Sequence, residues 1–281
     1  MKNSELFYTL RATLTKVFDG DENAAKAVAV KVFQYLYNIS LTEVLTYPDR
    51  KIEGFSSEKL DIVLERIKKL EPLEYIFNRA QFLDLELFTD SSVLIPRPET
   101  EELALMVSEA LRNKSSAFEV GLGSGCISLY LALKHPDKKF YGCDISDSAL
   151  KVCQKNIEKY GVKNLEVFLA DIFEFKTSQK FDVILSNPPY VTESEKLLMK
   201  KNVLDYEPFT ALFVPDDDAL KFYKKISEFA AEHLNSGGKL FFEINENFGK
   251  ETAQLVESYG FKNVEVMQDI YGNDRFVKST F

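Results

Sequence analysis

Two carbonyl acceptors held side by side can grip both hydrogens of an –NH2 group, and Asn187-Pro188-Pro189-Tyr190 offers such a pair. Asn187 carries a side-chain carbonyl beside its own NH2, and the Pro188 backbone carbonyl is the second acceptor. Proline fixes φ, lacks an N–H and pushes the residue before it towards extended backbone. Two in succession therefore make a stiff corner poor in donors. Tyr190 adds an aromatic face for a flat, conjugated group. The four residues suit a planar substrate bearing an amino nitrogen, either a carboxamide or an aminated nucleobase. The bland alternative is a proline-rich turn whose Asn187 bonds only its own loop.

A second set of residues suits a ligand with a ribose and an adenine. Gly121-Leu122-Gly123-Ser124-Gly125 follows the apolar run Ala117-Phe118-Glu119-Val120 and precedes a helical pattern through Ile127, Leu129, Tyr130 and Leu131. Strand, glycine turn and helix let a ligand approach the backbone closely. The glycines alternate, unlike the dinucleotide fingerprint, which has a third glycine at wider spacing. About twenty residues further on, Asp144 ends the next strand pattern, where a carboxylate can accept from both ribose hydroxyls. A third strand pattern, Leu165 to Leu169, leads to Asp171-Ile172, an acid and an apolar side chain able to hold an adenine by its amine and its face. Each acid alone reads equally well as a helix cap. Three strand ends presenting these groups in order carry more weight together.

To act as one site, these groups must lie at the carboxyl edge of a single sheet. Val183-Ile184-Leu185-Ser186 reads as a strand buried on both faces, ending at the double-proline corner. Residues 1 to 75 look helical, with Leu6, Leu10, Leu14 and Val17, then Val28, Val32, Tyr35 and Leu36, at helical spacing. Ser40-Leu41-Thr42-Glu43 is a capping box, and Ser57 is placed to cap a helix through Leu60, Val63 and Ile67. Phe82 to Leu87 alternates as a strand, Thr89 to Ser92 is a turn, and Val93-Leu94-Ile95 completes a hairpin. Pro96-Arg97-Pro98 stiffens the approach to a helix through Leu103 and Met106, where Arg97 and Glu101 would bond each other or a ligand, a plain helix entrance being an equal alternative. Asp147 or Ser148 opens the helix that Gly161 closes. Val191 to Phe213 is long and irregular, in the manner of a lid or substrate grip. Ala219 to Leu234 is a helix, Asn235 to Gly238 a turn, Lys239 to Ile244 a strand and Gly249 to Tyr259 a helix. A hairpin turning at Tyr271 to Asp274 closes the sheet. His135 and His233 fall at helix ends, where an imidazolium suits the dipole.

The 281 residues suit one domain plus a smaller lobe, and 45% apolar content with 23 Phe and 13 Tyr is ample for a packed core. A net charge of −9 argues against sequence-blind nucleic-acid binding, which relies on neutralising phosphates. Cys126, Cys143 and Cys153 lack metal-ligand spacing and read as small buried hydrophobes in a reducing cytosol. No secretory leader and no bilayer-length apolar run is visible, which gives the expectation of a cytoplasmic protein.

Taken together, the Gly121–Gly125 turn, Asp144, Asp171 and Asn187-Pro188-Pro189-Tyr190 resemble a class I S-adenosylmethionine-dependent methyltransferase. Leu94 to Glu101, Glu207-Pro208-Phe209-Thr210-Ala211-Leu212, Tyr271 to Arg275 and the helical lobe narrow the likeness to the PrmC/HemK family. That family methylates the glutamine amide of the Gly-Gly-Gln motif in peptide chain release factors. The resemblance implies an α/β fold: a Rossmann-like sheet with an antiparallel closing hairpin, plus a small amino-terminal helical domain. The domains would be 1–75 for substrate recognition, 76–98 as a hairpin linker and 99–281 for methyl transfer. It implies S-adenosyl-L-methionine contacts at Glu119, Gly121, Leu122, Gly123, Ser124, Gly125, Asp144 (ribose), Asp171 and Ile172 (adenine), and Asn187. The glutamine amide would lie against Asn187 and Pro188, with Pro189, Tyr190, Arg97 and Glu101 around it, and catalysis would involve Asn187, Pro188 and Tyr190. Release factors are the implied partners, with no membrane, no metal and no direct nucleic-acid substrate. Two positions depart from the family pattern: Glu119 stands where Asp is usual and Leu122 where Thr is usual. Rival readings are an adenine-amino methyltransferase on DNA or RNA, a glutamine methyltransferase on a ribosomal protein, and a cofactor-binding module without turnover.

Overall fold

Helical periodicity near the amino terminus becomes five helices: α1 Asn3–Val17, α2 Glu22–Tyr37, α3 Leu41–Thr46, α4 Ser57–Lys68 and α5 Leu73–Phe77. They form the first of two units, Met1–Asn78 and Arg79–Phe281, into which the chain divides in a computed structural model describing residues 1–281. Leu6, Leu10 and Leu14 are buried as their spacing requires, each contributing about 2 kcal/mol. On α2 the buried stripe is Ala25, Ala29, Val32 and Phe33 rather than Val28, Val32, Tyr35 and Leu36. Small alanines let α2 come close to α1, and the Phe7 and Phe33 rings meet edge-on at 5.4 Å. The Ser40–Glu43 capping box is present. The cap of α4 is Ser56, one residue ahead of Ser57, its hydroxyl accepting from Lys59 N.

The second unit opens with the hairpin β1 Ala80–Phe82 and β2 Leu85–Leu87, which turns at Leu83-Asp84. The alternating run is thus two short strands, and Val93-Leu94-Ile95 is loop. The turn is held from a distance: Leu83 takes φ +50°, and the Glu101 carboxylate accepts from its N–H at 2.7 Å. Then follow α6 Pro98–Ala110, β3 Ser116–Val120, α7 Cys126–Lys134, β4 Lys139–Asp144, α8 Asp147–Tyr160, β5 Leu165–Leu169 and β6 Phe181–Ser186. Ser146, not Asp147 or Ser148, caps α8, and Gly161 ends it in the left-handed region. The irregular span beyond Tyr190 contains the two-residue strands β7 Val191–Thr192 and β8 Phe213–Val214, paired in parallel, with α9 Lys201–Tyr206 between them. The chain ends with α10 Lys221–His233, β9 Leu234–Glu243, α11 Gly249–Ser258, β10 Lys262–Gln268 and β11 Asp274–Thr280. Asn235 to Gly238, expected as a turn, is an irregular stretch of β9, where pairing with β6 jumps from Leu234–Phe181 to Lys239–Val183.

The large sheet runs β10-β11-β9-β6-β3-β4-β5. It is parallel except for β11, which is antiparallel to β9 and β10. Consecutive strand residues serve opposite cores, Ala117, Val183 and Leu185 on one side, Phe118 and Ile184 on the other, which is why these strands read as largely apolar runs. Strand order reverses at β3, which lies between β4 and β6. Such a switch point opens a crevice at the carboxyl ends of its strands. All three cysteines are buried. His135 bonds the Ser108 hydroxyl at 2.8 Å, and burial lowers its pKa, so the charged form expected at this helix end is disfavoured. No helix is long and apolar enough to cross a membrane.

Candidate active site

At that switch point lies a cavity of 460 Å³, lined by the ends of β3, β4 and β6 together with the loops at 92–97, 170–173 and 208–213. Gly121 and Gly123 stand in its wall with φ of +78° and +54°, and a Cβ on either would meet nothing within 4 Å. These two glycines thus leave bare backbone facing open space. Gly125 differs: it is outside the cavity wall, and a Cβ there would lie 2.5 Å from Cys153 Sγ on α8. Its smallness serves packing between α7 and α8. Leu122 lies in the wall and also covers Gly142, where a Cβ would come 2.6 Å from Leu122 Cδ2.

Asp144 ties the glycine turn to the start of α8, accepting from Gly123 N at 2.8 Å and from Ser146 N at 2.9 Å. Burial raises its pKa despite those bonds. Glu119, at the end of β3, is 2% exposed and accepts from Ser128 N at 2.9 Å and from the Ser128 hydroxyl. Burial outweighs those bonds and pushes its carboxyl up to about 8. Asp171 accepts from Phe173 N at 2.9 Å, an Asx turn that sets Ile172 and the exposed Phe173 in the wall. Ser124 is buried in the same wall.

The double-proline corner forms the opposite side of the cavity through Asn187, Pro188 and Pro189. Asn187 Nδ2 donates to Thr100 Oγ1 at 3.2 Å. The Thr100 hydroxyl donates to Glu243 Oε2 at 2.7 Å, and the Tyr190 hydroxyl donates to Glu243 Oε1 at 3.1 Å. Tyr190 is therefore a brace behind the corner, bordering a separate 40 Å³ hollow rather than laying its face over the large cavity. Asn245 Nδ2 donates to the Tyr190 carbonyl at 3.1 Å and fixes the corner from below. Arg97 reaches Glu207, not Glu101, at 2.7 Å, and Glu207 also accepts from Ile95 N. That pair joins the loop before α6 to the segment after α9. Glu101 lies outside the cavity wall, engaged with Leu83.

Thr100 and Glu243 belong to this constellation although neither was assigned a role from sequence, Thr100 lying unremarked inside the Leu94 to Glu101 stretch. The only trace was an acid, Glu243, ending an apolar strand, as Glu119 does. The cavity is thus lined both by the bare backbone of Gly121 and Gly123 with the acids Glu119, Asp144 and Asp171, and by the rigid Asn187-Pro188-Pro189 corner.

Residues 101–205 match the model of the methyltransferase small domain family. A release factor glutamine methyltransferase of Flavobacterium psychrophilum is 38% identical over 275 residues, 95% of each chain. This chain belongs to the release factor glutamine methyltransferase family. Another member, from Bacteroides thetaiotaomicron, is 36% identical over 272 residues, 95% of this chain and 96% of that one. Among solved structures, a methyltransferase from Pyrococcus furiosus superposes with a TM-score of 0.53 at 19% identity, over 80% of this chain and 98% of its own, a likeness of fold. Family membership makes the expected α/β architecture and methyltransferase class facts of this chain.

Proposed function

We propose that the protein transfers a methyl group from S-adenosyl-L-methionine to the side-chain amide nitrogen of the glutamine in the Gly-Gly-Gln motif of class 1 peptide chain release factors. The donor set fits that cofactor: Gly121 and Gly123 leave room a Cβ would fill, Asp144 can accept from ribose hydroxyls, and Asp171-Ile172 presents an acid and an apolar face. In this reading the buried Glu119, whose longer arm Ser128 holds, takes the methionine end. When bound, the cofactor supplies an electrophilic methyl on a sulfonium.

The observation that carries the reading is that the Asn187–Pro188 acceptors share one cavity with the glycine turn. An amide nitrogen is a poor nucleophile because its lone pair is delocalised into its carbonyl. Asn187 Oδ1 and the Pro188 carbonyl take both amide hydrogens, fix the direction of the nitrogen lone pair and favour positive charge growing on it. Positioning and fixed dipoles supply most of the acceleration. A bound cofactor would supply the methyl carbon and would keep the electron pair of the bond it gives up; the amide nitrogen held by Asn187 and Pro188 would take that carbon and release one proton, which water can take. The test is incubation with methyl-labelled cofactor and release factor, beside DNA and RNA. Label in the glutamine-containing peptide supports the proposal; label only in nucleic acid, or none, overturns it. The family relationship favours protein over adenine as substrate.

A further inference from the structure

An asparagine amide presents a carbonyl on one side and an NH2 on the other, and only one way round does it accept a hydrogen bond from substrate. We propose that the buried Glu243 carboxylate, acting through the Thr100 hydroxyl, fixes the Asn187 amide with its carbonyl towards the cavity, making Thr100 and Glu243 positioning residues for methyl transfer. This rests on the role given above to Asn187.

The argument follows the protons. A threonine hydroxyl has one proton and two lone pairs. The Thr100 proton is committed to Glu243 Oε2 at 2.7 Å, so at 3.2 Å from Asn187 Thr100 Oγ1 can only accept. Only the NH2 of Asn187 satisfies it, and Oδ1 is turned the other way. Glu243 enforces this polarity because each carboxylate oxygen already accepts, Oε1 from the Tyr190 hydroxyl and Oε2 from Thr100. Thr100 and Glu243 are 3% and 1% exposed, so water does not substitute for either partner.

Reversal has a definite consequence. A proton on Glu243 Oε2 would donate to Thr100, whose own proton would swing towards Asn187 and select Oδ1. The NH2 would then face a substrate NH2, donor against donor. The charged and titratable groups around Glu243 are Glu99 on α6, Cys126 on α7, Tyr190 on the corner, Tyr223 on α10 and Arg275 on β11. Arg275 favours the ionised form, while burial and Glu99 oppose it.

The experiment measures kcat, acceptor KM and cofactor affinity for full-length wild type, T100V, T100S, E243Q and N187A, with release factor as methyl acceptor. T100V keeps the volume and removes the relay; kcat should fall about tenfold, the worth of one hydrogen bond, with cofactor affinity unchanged and a lower melting temperature, because Glu243 Oε2 loses its buried donor. T100S, which keeps the hydroxyl, should restore kcat. E243Q can donate to Thr100 and so populates the reversed amide: kcat should fall, and the acid limb of the wild-type kcat profile at saturating cofactor should vanish. A T100V enzyme at wild-type kcat beside an inactive N187A overturns the relay. So does a loss that T100S shares or that follows cofactor affinity. An N187A enzyme with wild-type kcat would instead overturn the role of Asn187, and the relay with it.

Discussion

Replacing Glu119 by Gln should make the ligand-free protein more stable at alkaline than at acid pH relative to wild type. Glu119 is fully buried, and its carboxyl is pushed from 4.5 up to about 8. A carboxyl whose folded pKa lies above its unfolded value binds its proton more tightly in the folded state. The stability it confers is complete below 4.5 and is lost as pH rises through 8. Each pKa unit is worth about 1.4 kcal/mol. Between pH 5.5 and pH 8 the native group holds its proton over most of the interval while the unfolded one does not, a loss of about 3 kcal/mol. Asp144 and Glu243 shift in the same direction, so wild type alone cannot isolate Glu119, but the difference from E119Q does. The assay is urea unfolding of both proteins at the two pH values without cofactor. E119Q should gain about 3 kcal/mol on wild type between them. A gain under about 1 kcal/mol would mean that Glu119 is ionised in the folded protein and the burial argument fails.

Asn187→Ala should lower kcat by about a hundredfold or more, in the range for losing a transition-state hydrogen-bonding group, with cofactor affinity by calorimetry unchanged. Normal turnover would remove Asn187 from the chemistry. Asp144→Ala should weaken cofactor binding, since it removes the proposed ribose acceptor and frees Gly123 N and Ser146 N; unchanged affinity would place the ribose elsewhere. Gly123→Ala and Gly125→Ala should separate. The first projects a Cβ into the cavity and should impair cofactor binding. The second, with φ +78° and Cys153 Sγ 2.5 Å from the added carbon, should cost about 2–4 kcal/mol of stability, and thermal unfolding at full stability would refute the packing role of Gly125.

The sheet unit was legible because its central strands bury both faces, so β3 and β6 appear as largely apolar runs that break at glycine or proline. The Gly121–Gly125 turn, Asp144 and Asn187 could be placed at strand ends for the same reason. Less legible was the stretch from Phe82 to Ile95, where alternation alone could not reveal the turn at Leu83 that Glu101 supports from 18 positions away. Gly125 resembled its two neighbours in the turn, yet its neighbour is α8 and not the cavity.

The order of side chains along this chain decided where strands and helices start, where the backbone is bare and where the stiff corner stands, because those depend on neighbours a few residues apart. Folding decided which groups meet. Thr100 and Glu243 lie 143 positions apart, and Arg97 and Glu207 110; α6, β6 and β9 converge only once the sheet has closed. The choice of which face of Asn187 looks outward comes from that convergence, since a hydrogen bond's direction is set by the partner's own commitments and no local pattern records them.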